Sequence, residues 1–90
     1  MRKNLPKNIY KVGSLRVWNM IQLPNEPIYY PVKSPKHGKT LINALADSQL
    51  LDTNITDNAF GMEILEKDGE WCDWEDNDGN NITDDECSVE

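Results

Sequence analysis

The sequence predicts an α+β fold in two layers, with one antiparallel or mixed sheet packed on a single helix in the order β-β-α-β-β. Three observations point there. Four short stretches are β-rich and roughly alternate apolar with polar residues, as half-buried strands do. One stretch between the second and third carries apolar residues at helical spacing behind a strong start signal. The chain has 90 residues, enough for one small core, so these elements have chiefly one another to pack against.

The first fourteen residues form a basic arm containing Pro6 and Gly13; Ile9, Tyr10 and Val12 offer a short extra strand, and the rest reads as mobile. Leu15 to Leu23 is the first strand, and Pro24-Asn25-Glu26-Pro27 is a turn by composition. Ile28 to Val32 is the second strand. Pro31 has no N–H to donate, so this strand belongs at an edge or is short. Ser34-Pro35 then supplies an N-cap and a proline suited to the first helical position. The helix runs to about Leu51, with Leu41, Ile42, Leu45, Gln49 and Leu50 at helical spacing and Ala44 and Ala46 beside them. A polar loop over 52–58 leads to a third strand, Phe60 to Glu66, and a fourth, Glu70 to Glu75.

The connection Lys67-Asp68-Gly69 selects the register of the last hairpin. A two-residue turn would set Ile64 opposite Asp73. A three-residue loop with Gly69 left-handed sets Ile64 opposite Cys72 and Met62 opposite Trp74, which gathers one apolar face. The second register is therefore expected. Its other face places Leu65 opposite Trp71 and Glu63 opposite Asp73, a like-charge pair that solvent must screen, so that face is expected to be exposed. Core candidates are Val17, Ile21, Tyr30, Leu41, Ile42, Leu45, Phe60, Met62, Ile64 and Trp74. The chain divides into a basic arm (1–14), a single α+β domain (15–76) and an acidic tail (77–90).

Charge is distributed unevenly. Residues 1–45 hold eight of the nine Lys and Arg and a single acid, Glu26; residues 46–90 hold the other fifteen acids and Lys67, and the whole chain carries −7. Such polarity suits two electrostatic faces, although most charge runs are simply solvated surface. No apolar run approaches the roughly 18 residues of a membrane span, and the basic start lacks the apolar segment of a signal peptide. The expected location is the cytoplasm. On that expectation Asn54-Ile55-Thr56 and Asn81-Ile82-Thr83 match glycosylation acceptors by chance, and Cys72 and Cys87 are reduced thiols without metal-ligand spacing.

Two motifs invite chemistry. Lys33-Ser34-Pro35-Lys36-His37-Gly38-Lys39-Thr40 ends like a phosphate-binding loop, but the first glycine of that motif would fall on Lys33. Ser34-Pro35 also starts the helix too early for a loop to wrap phosphate, and no later strand ends in a magnesium-binding Asp. A weaker possibility survives: Lys33, Lys36, His37 and Lys39 near a helix N-terminus as an anion site, set against a capped helix with a solvated basic start. The stretch from Asp76 to Glu86 resembles a calcium loop. With Gly79 on the loop glycine, the first ligand position falls on Trp74, which cannot bind, and the last on Asp85, shorter than the usual Glu. A solvated acidic tail is the default there, and neither a metal nor a cofactor is expected.

No nucleophile–base pair is visible, and His37 is the only histidine. Acidic pairs such as Glu63/Asp73 lie on a convex hairpin without a pocket, so no enzyme is expected. Trp71 is the more informative residue. Beside Leu65 and ringed by Glu63, Glu66, Glu70 and Asp73, it reads equally as an aromatic anchor for a partner or as a ring packed on the helix or the arm.

The runs Val17-Trp18-Asn19, Tyr29-Tyr30-Pro31-Val32, Leu41 to Leu50 and Phe60-Gly61-Met62-Glu63, with Gly69 to Asp76 and Asp78-Gly79, resemble small acidic proteins of phages and prophages of Gram-positive bacteria known as superinfection exclusion proteins. The resemblance covers roughly residues 15–82, rests on structural residues rather than a catalytic motif, and leaves out the basic start and Lys36-His37-Gly38-Lys39. It implies a non-enzymatic phage accessory protein that acts inside the host by binding something. The expected surface comprises Trp71, Leu65, Glu63, Glu66, Asp73 and Glu75, and the expected partner is a host or rival-phage protein. A DNA mimic that occupies a nucleic-acid-binding enzyme is the alternative, and a module that sequesters a nucleotide-like anion is a third reading. Direct nucleic-acid binding by the basic arm is opposed by the overall charge.

Overall fold

The structure, a computed structural model, describes residues 11–22, 25–84 and 87. The elements follow the order β1 (Leu15–Ile21), β2 (Ile28–Val32), α1 (Pro35–Leu50), β3 (Asn58–Leu65) and β4 (Trp71–Asp73). The strands form one antiparallel sheet in the order β2-β1-β3-β4. The expected α+β architecture is therefore present, with a single helix among the described residues packed against the sheet. β2 lies at an edge, where its proline is tolerated.

Local signals set the element ends. Ser34 caps α1, its Oγ accepting from the His37 N–H at 3.1 Å, and Leu51 closes the other end. β1 stops at Ile21, short of the expected Leu23, because Gln22 takes a left-handed φ of 60°. The Gln22 side chain holds the post-helix loop. Its Oε1 accepts from the Thr56 and Asp57 N–H groups and the Thr56 hydroxyl, and its Nε2 donates to the Asn54 carbonyl. Leu23 and residues 1–10, with Ile9 and Tyr10, lie outside the described residues. At the end of the arm, Gly13 and Ser14 exchange backbone bonds with Leu65, while Val12 is exposed.

The core lies between α1 and one face of the sheet. Val17, Val32, Ile42, Met62 and Ile82 are buried there, with Leu15, Tyr30, Leu41, Phe60, Trp74 and Cys87 packed against them. Burying each aliphatic side chain of this set contributes on the order of 1.5–3 kcal/mol. Gly38 is what lets the helix come so close. A Cβ there would sit 2.6 Å from the Met62 sulfur and touch Val17 and Val32.

The expected core needs amendment. Ile21, Leu45 and Ile64 are only half-buried. Leu50, placed by helical spacing, is 81% exposed because Gln49 faces the sheet in that turn and the next residue lies about 100° further round the helix. Val32, Leu65 and Ile82 are buried instead. Cys72, expected on the apolar face, is exposed. Buried polar groups join the core as well. Asn19 Oδ1 accepts from Gln49 Nε2 at 2.6 Å, Asn19 Nδ2 donates to the Ala59 carbonyl, and Gln49 Oε1 accepts from Asn58 Nδ2. This chain of amides fastens α1 to β1 and β3 and satisfies most of what burial would otherwise leave unpaired.

The hairpin register is the expected one, with Ile64 opposite Cys72 and Leu65 opposite Trp71. In its turn the Glu66 N–H donates to the Glu70 carbonyl, the Gly69 N–H donates to the Glu66 carbonyl, and Gly69 has φ +84°. The same construction recurs ten residues on. Asp76 N–H donates to the Asn80 carbonyl, Gly79 N–H donates to the Asp76 carbonyl, and Gly79 has φ +85°. A bridge between Glu75 and Asn81 completes a second, minimal hairpin that delivers Ile82 to the core, fully buried.

Candidate functional site on the helix-free sheet face

Alternation along β1 sends Val17 and Asn19 toward α1 and Arg16, Trp18 and Met20 to the opposite face. Residues directly across the ladders share a face. Arg16 thus neighbours Pro31 and Glu63, Trp18 neighbours Tyr29 and Gly61, and Glu63 neighbours Asp73. The result is a polar and aromatic surface drawn from all four strands.

Arg16 is its centre. Its Nε donates to Glu63 Oε1 at 2.8 Å, and its guanidinium carbon lies 3.9 Å from the Tyr29 ring centre and 4.1 Å from that of Trp71. Two cation–π contacts, each about 0.5–1 kcal/mol at exposed sites, and an ion pair of up to ~1 kcal/mol act on one guanidinium. Together they hold Tyr29, Arg16, Glu63 and Trp71 as a unit. The ion pair also answers the like-charge problem at Glu63 and Asp73, because Glu63 is neutralised by a cation from β1. Beside the stack, the Trp18 indole lies flat over Gly61, occupying the space a side chain there would fill.

Trp71 and Glu63 lie within this unit, with Asp73 beside them. Trp71 is half-buried and packed on Arg16, on the sheet face opposite the helix. Leu65 shares the face but is 8% exposed, so it supports the surface rather than presenting itself. Glu66 sits at the start of the turn and Glu75 on the second hairpin, both exposed. Arg16, Trp18 and Tyr29 were missed by sequence reasoning, although a β1 that buries Val17 must turn its even-numbered residues outward. Nearby, desolvation along the strand, followed by the carboxylates of Glu66, Asp68, Glu70 and Asp73, holds the Cys72 thiol above its usual range.

The basic helix start is organised for structure. His37 Nδ1 accepts from the Lys33 N–H at 3.0 Å, and Lys39 Nζ donates to the Ile82 carbonyl at 2.8 Å, tying the second hairpin to α1. Gly38 is buried and Lys36 exposed. Of the four residues, Lys33 and His37 are thus joined, Lys39 is engaged with the second hairpin, and Lys36 faces solvent. The calcium-like stretch is the second turn: Asp76 Oδ1 accepts from the Asp78 and Asn80 N–H groups, and Trp74 packs against the core. Among the described residues no group of three or more His, Cys, Asp or Glu is placed to hold a metal ion, and no helix is long and apolar enough to cross a membrane. A cleft of about 90 Å³ between Trp18, Phe60 and the 81–83 turn, and one of about 130 Å³ beside Gln49 and Ile55, are well below the ~300 Å³ of ordinary small-molecule sites.

Residues 14–89 match the family of superinfection exclusion gene product 17. The chain belongs to this superinfection exclusion family. A superinfection exclusion protein of Salmonella phage P22 is 30% identical, in an alignment that covers 67% of this chain and 75% of that protein. No solved structure matches the chain. Membership in the superinfection exclusion family gives a phage accessory role, and the matched span includes the sheet, the helix and both tight turns.

Proposed function

We propose that this phage accessory protein acts in superinfection exclusion without catalysis, inside the host cell, by binding a host or rival-phage protein through its helix-free sheet face. The observation that carries the reading is the Tyr29–Arg16–Trp71 stack fastened to Glu63. Aromatic and arginine side chains dominate binding energy at protein interfaces, and a prearranged set loses little entropy on docking. The acids of the hairpin, Glu66, Asp73 and Glu75, suit a rim that steers a partner at a distance. A DNA mimic is the competing reading. It would draw on many acids and little on the rings.

The test is a plating assay on host cells that express the chain and are challenged with other phages. Trp71→Ala and Tyr29→Ala proteins, shown to be folded by circular dichroism, are expected to lose exclusion. Retained exclusion in both variants would overturn the reading. Loss confined to combined Glu66, Glu70 and Glu75 neutralisation would favour mimicry.

A further inference from the structure

The chemistry of the helix-free face narrows what it can take, and this step rests on that face being the working surface. Three rings from three strands, Trp18, Tyr29 and Trp71, lie on one side of the sheet. Two of them already bracket a guanidinium at 3.9 and 4.1 Å. The surface is thus shaped for planar cations, and Tyr29 remains 46% exposed. Charge points the same way. Arg16 is matched by Glu63, whereas Glu66, Glu70, Asp73 and Glu75 have no cation partner among the described residues. A stacking surface for single-stranded nucleic acid needs a basic groove along the backbone. Here the cation of the stack is already neutralised and the surroundings are acidic.

We propose that the helix-free face binds a basic, arginine-bearing segment of a protein, whose guanidinium groups stack on Tyr29 and Trp18 and pair with Asp73 and the neighbouring hairpin acids. Arginine is preferred over lysine because its flat guanidinium can stack and pair at once, while an ammonium is a strongly hydrated point charge. Arg16 serves as the internal template for that contact.

The test is a fluorescence titration of the full chain with three nonapeptides of alternating glycine and arginine, lysine or glutamate. The arginine peptide is expected to bind roughly tenfold more tightly than the lysine peptide, with added salt weakening both. Tyr29→Ala and Asp73→Asn should each reduce the arginine peptide's affinity severalfold, while Asp47→Asn, an equal charge change on α1, should leave it unchanged. Circular dichroism checks that each variant is folded. Equal binding of arginine and lysine peptides, indifference to Tyr29→Ala, or tighter binding of a single-stranded thymidine oligomer would overturn the proposal. So would a dimer in sedimentation that excludes the arginine peptide. The two readings fail separately. Exclusion lost in Trp71→Ala without any arginine preference removes this proposal and keeps the binding role; arginine preference with exclusion intact in Trp71→Ala and Tyr29→Ala does the reverse.

Discussion

A methyl group at position 61 would run into the Trp18 indole. Gly61→Ala should therefore lift the ring off β3 and cost about 1–3 kcal/mol through overpacking. The denaturation midpoint and the near-ultraviolet dichroism of the tryptophans would register this, and no change in either would refute the contact. Cys72 makes a different single-residue case. Desolvation and then the nearby carboxylates raise its pKa, so less thiolate is present at any given pH. Peptide-resolved alkylation of Cys72 should reach its half-maximal rate at a higher pH than a free thiol, despite exposure, and Glu66→Gln with Glu70→Gln should bring that midpoint down. Cys72 alkylating like a free thiol would contradict it.

At the scale of elements, α1 and the hairpins show which signals were local. Ile42 is 6% exposed and Leu45 half-buried, so Ile42→Ala should cost about 2–5 kcal/mol and Leu45→Ala less. Urea denaturation of the two variants would compare them, and the reverse order would contradict the packing. The helix start was legible because Ser34 and Pro35 act within one turn of chain. The register of β3 and β4 was legible because Lys67-Asp68-Gly69 permits few geometries. Asn77-Asp78-Gly79 makes the same turn, yet the acids around it suggested solvated chain. Ile82 gave no core signal in that stretch, since the lysine that holds its carbonyl lies 43 residues back at Lys39. The helix-free face was half legible. Trp71, Glu63 and Asp73 followed from the hairpin, but Arg16 and Tyr29 joined them only once β1 lay between β2 and β3.

For the whole molecule, the second hairpin makes residues beyond 76 part of the core, with Ile82 fully buried and Cys87 packed beside it. Ile82→Ala should lower stability by about 2–5 kcal/mol, a large share of what a domain of this size possesses. Thermal unfolding would show it, and an unchanged midpoint would mean that the segment does not close the core. The other end of the sheet raises a matter of colloidal behaviour. β2 is an outer strand whose Ile28 and Tyr29 are about half exposed, a natural template for edge-to-edge aggregation. Pro31 interrupts that template, because its ring blocks an incoming strand and offers no amide proton. A chain carrying Pro31→Val should fold as before but scatter light increasingly with concentration, while the natural protein stays dispersed.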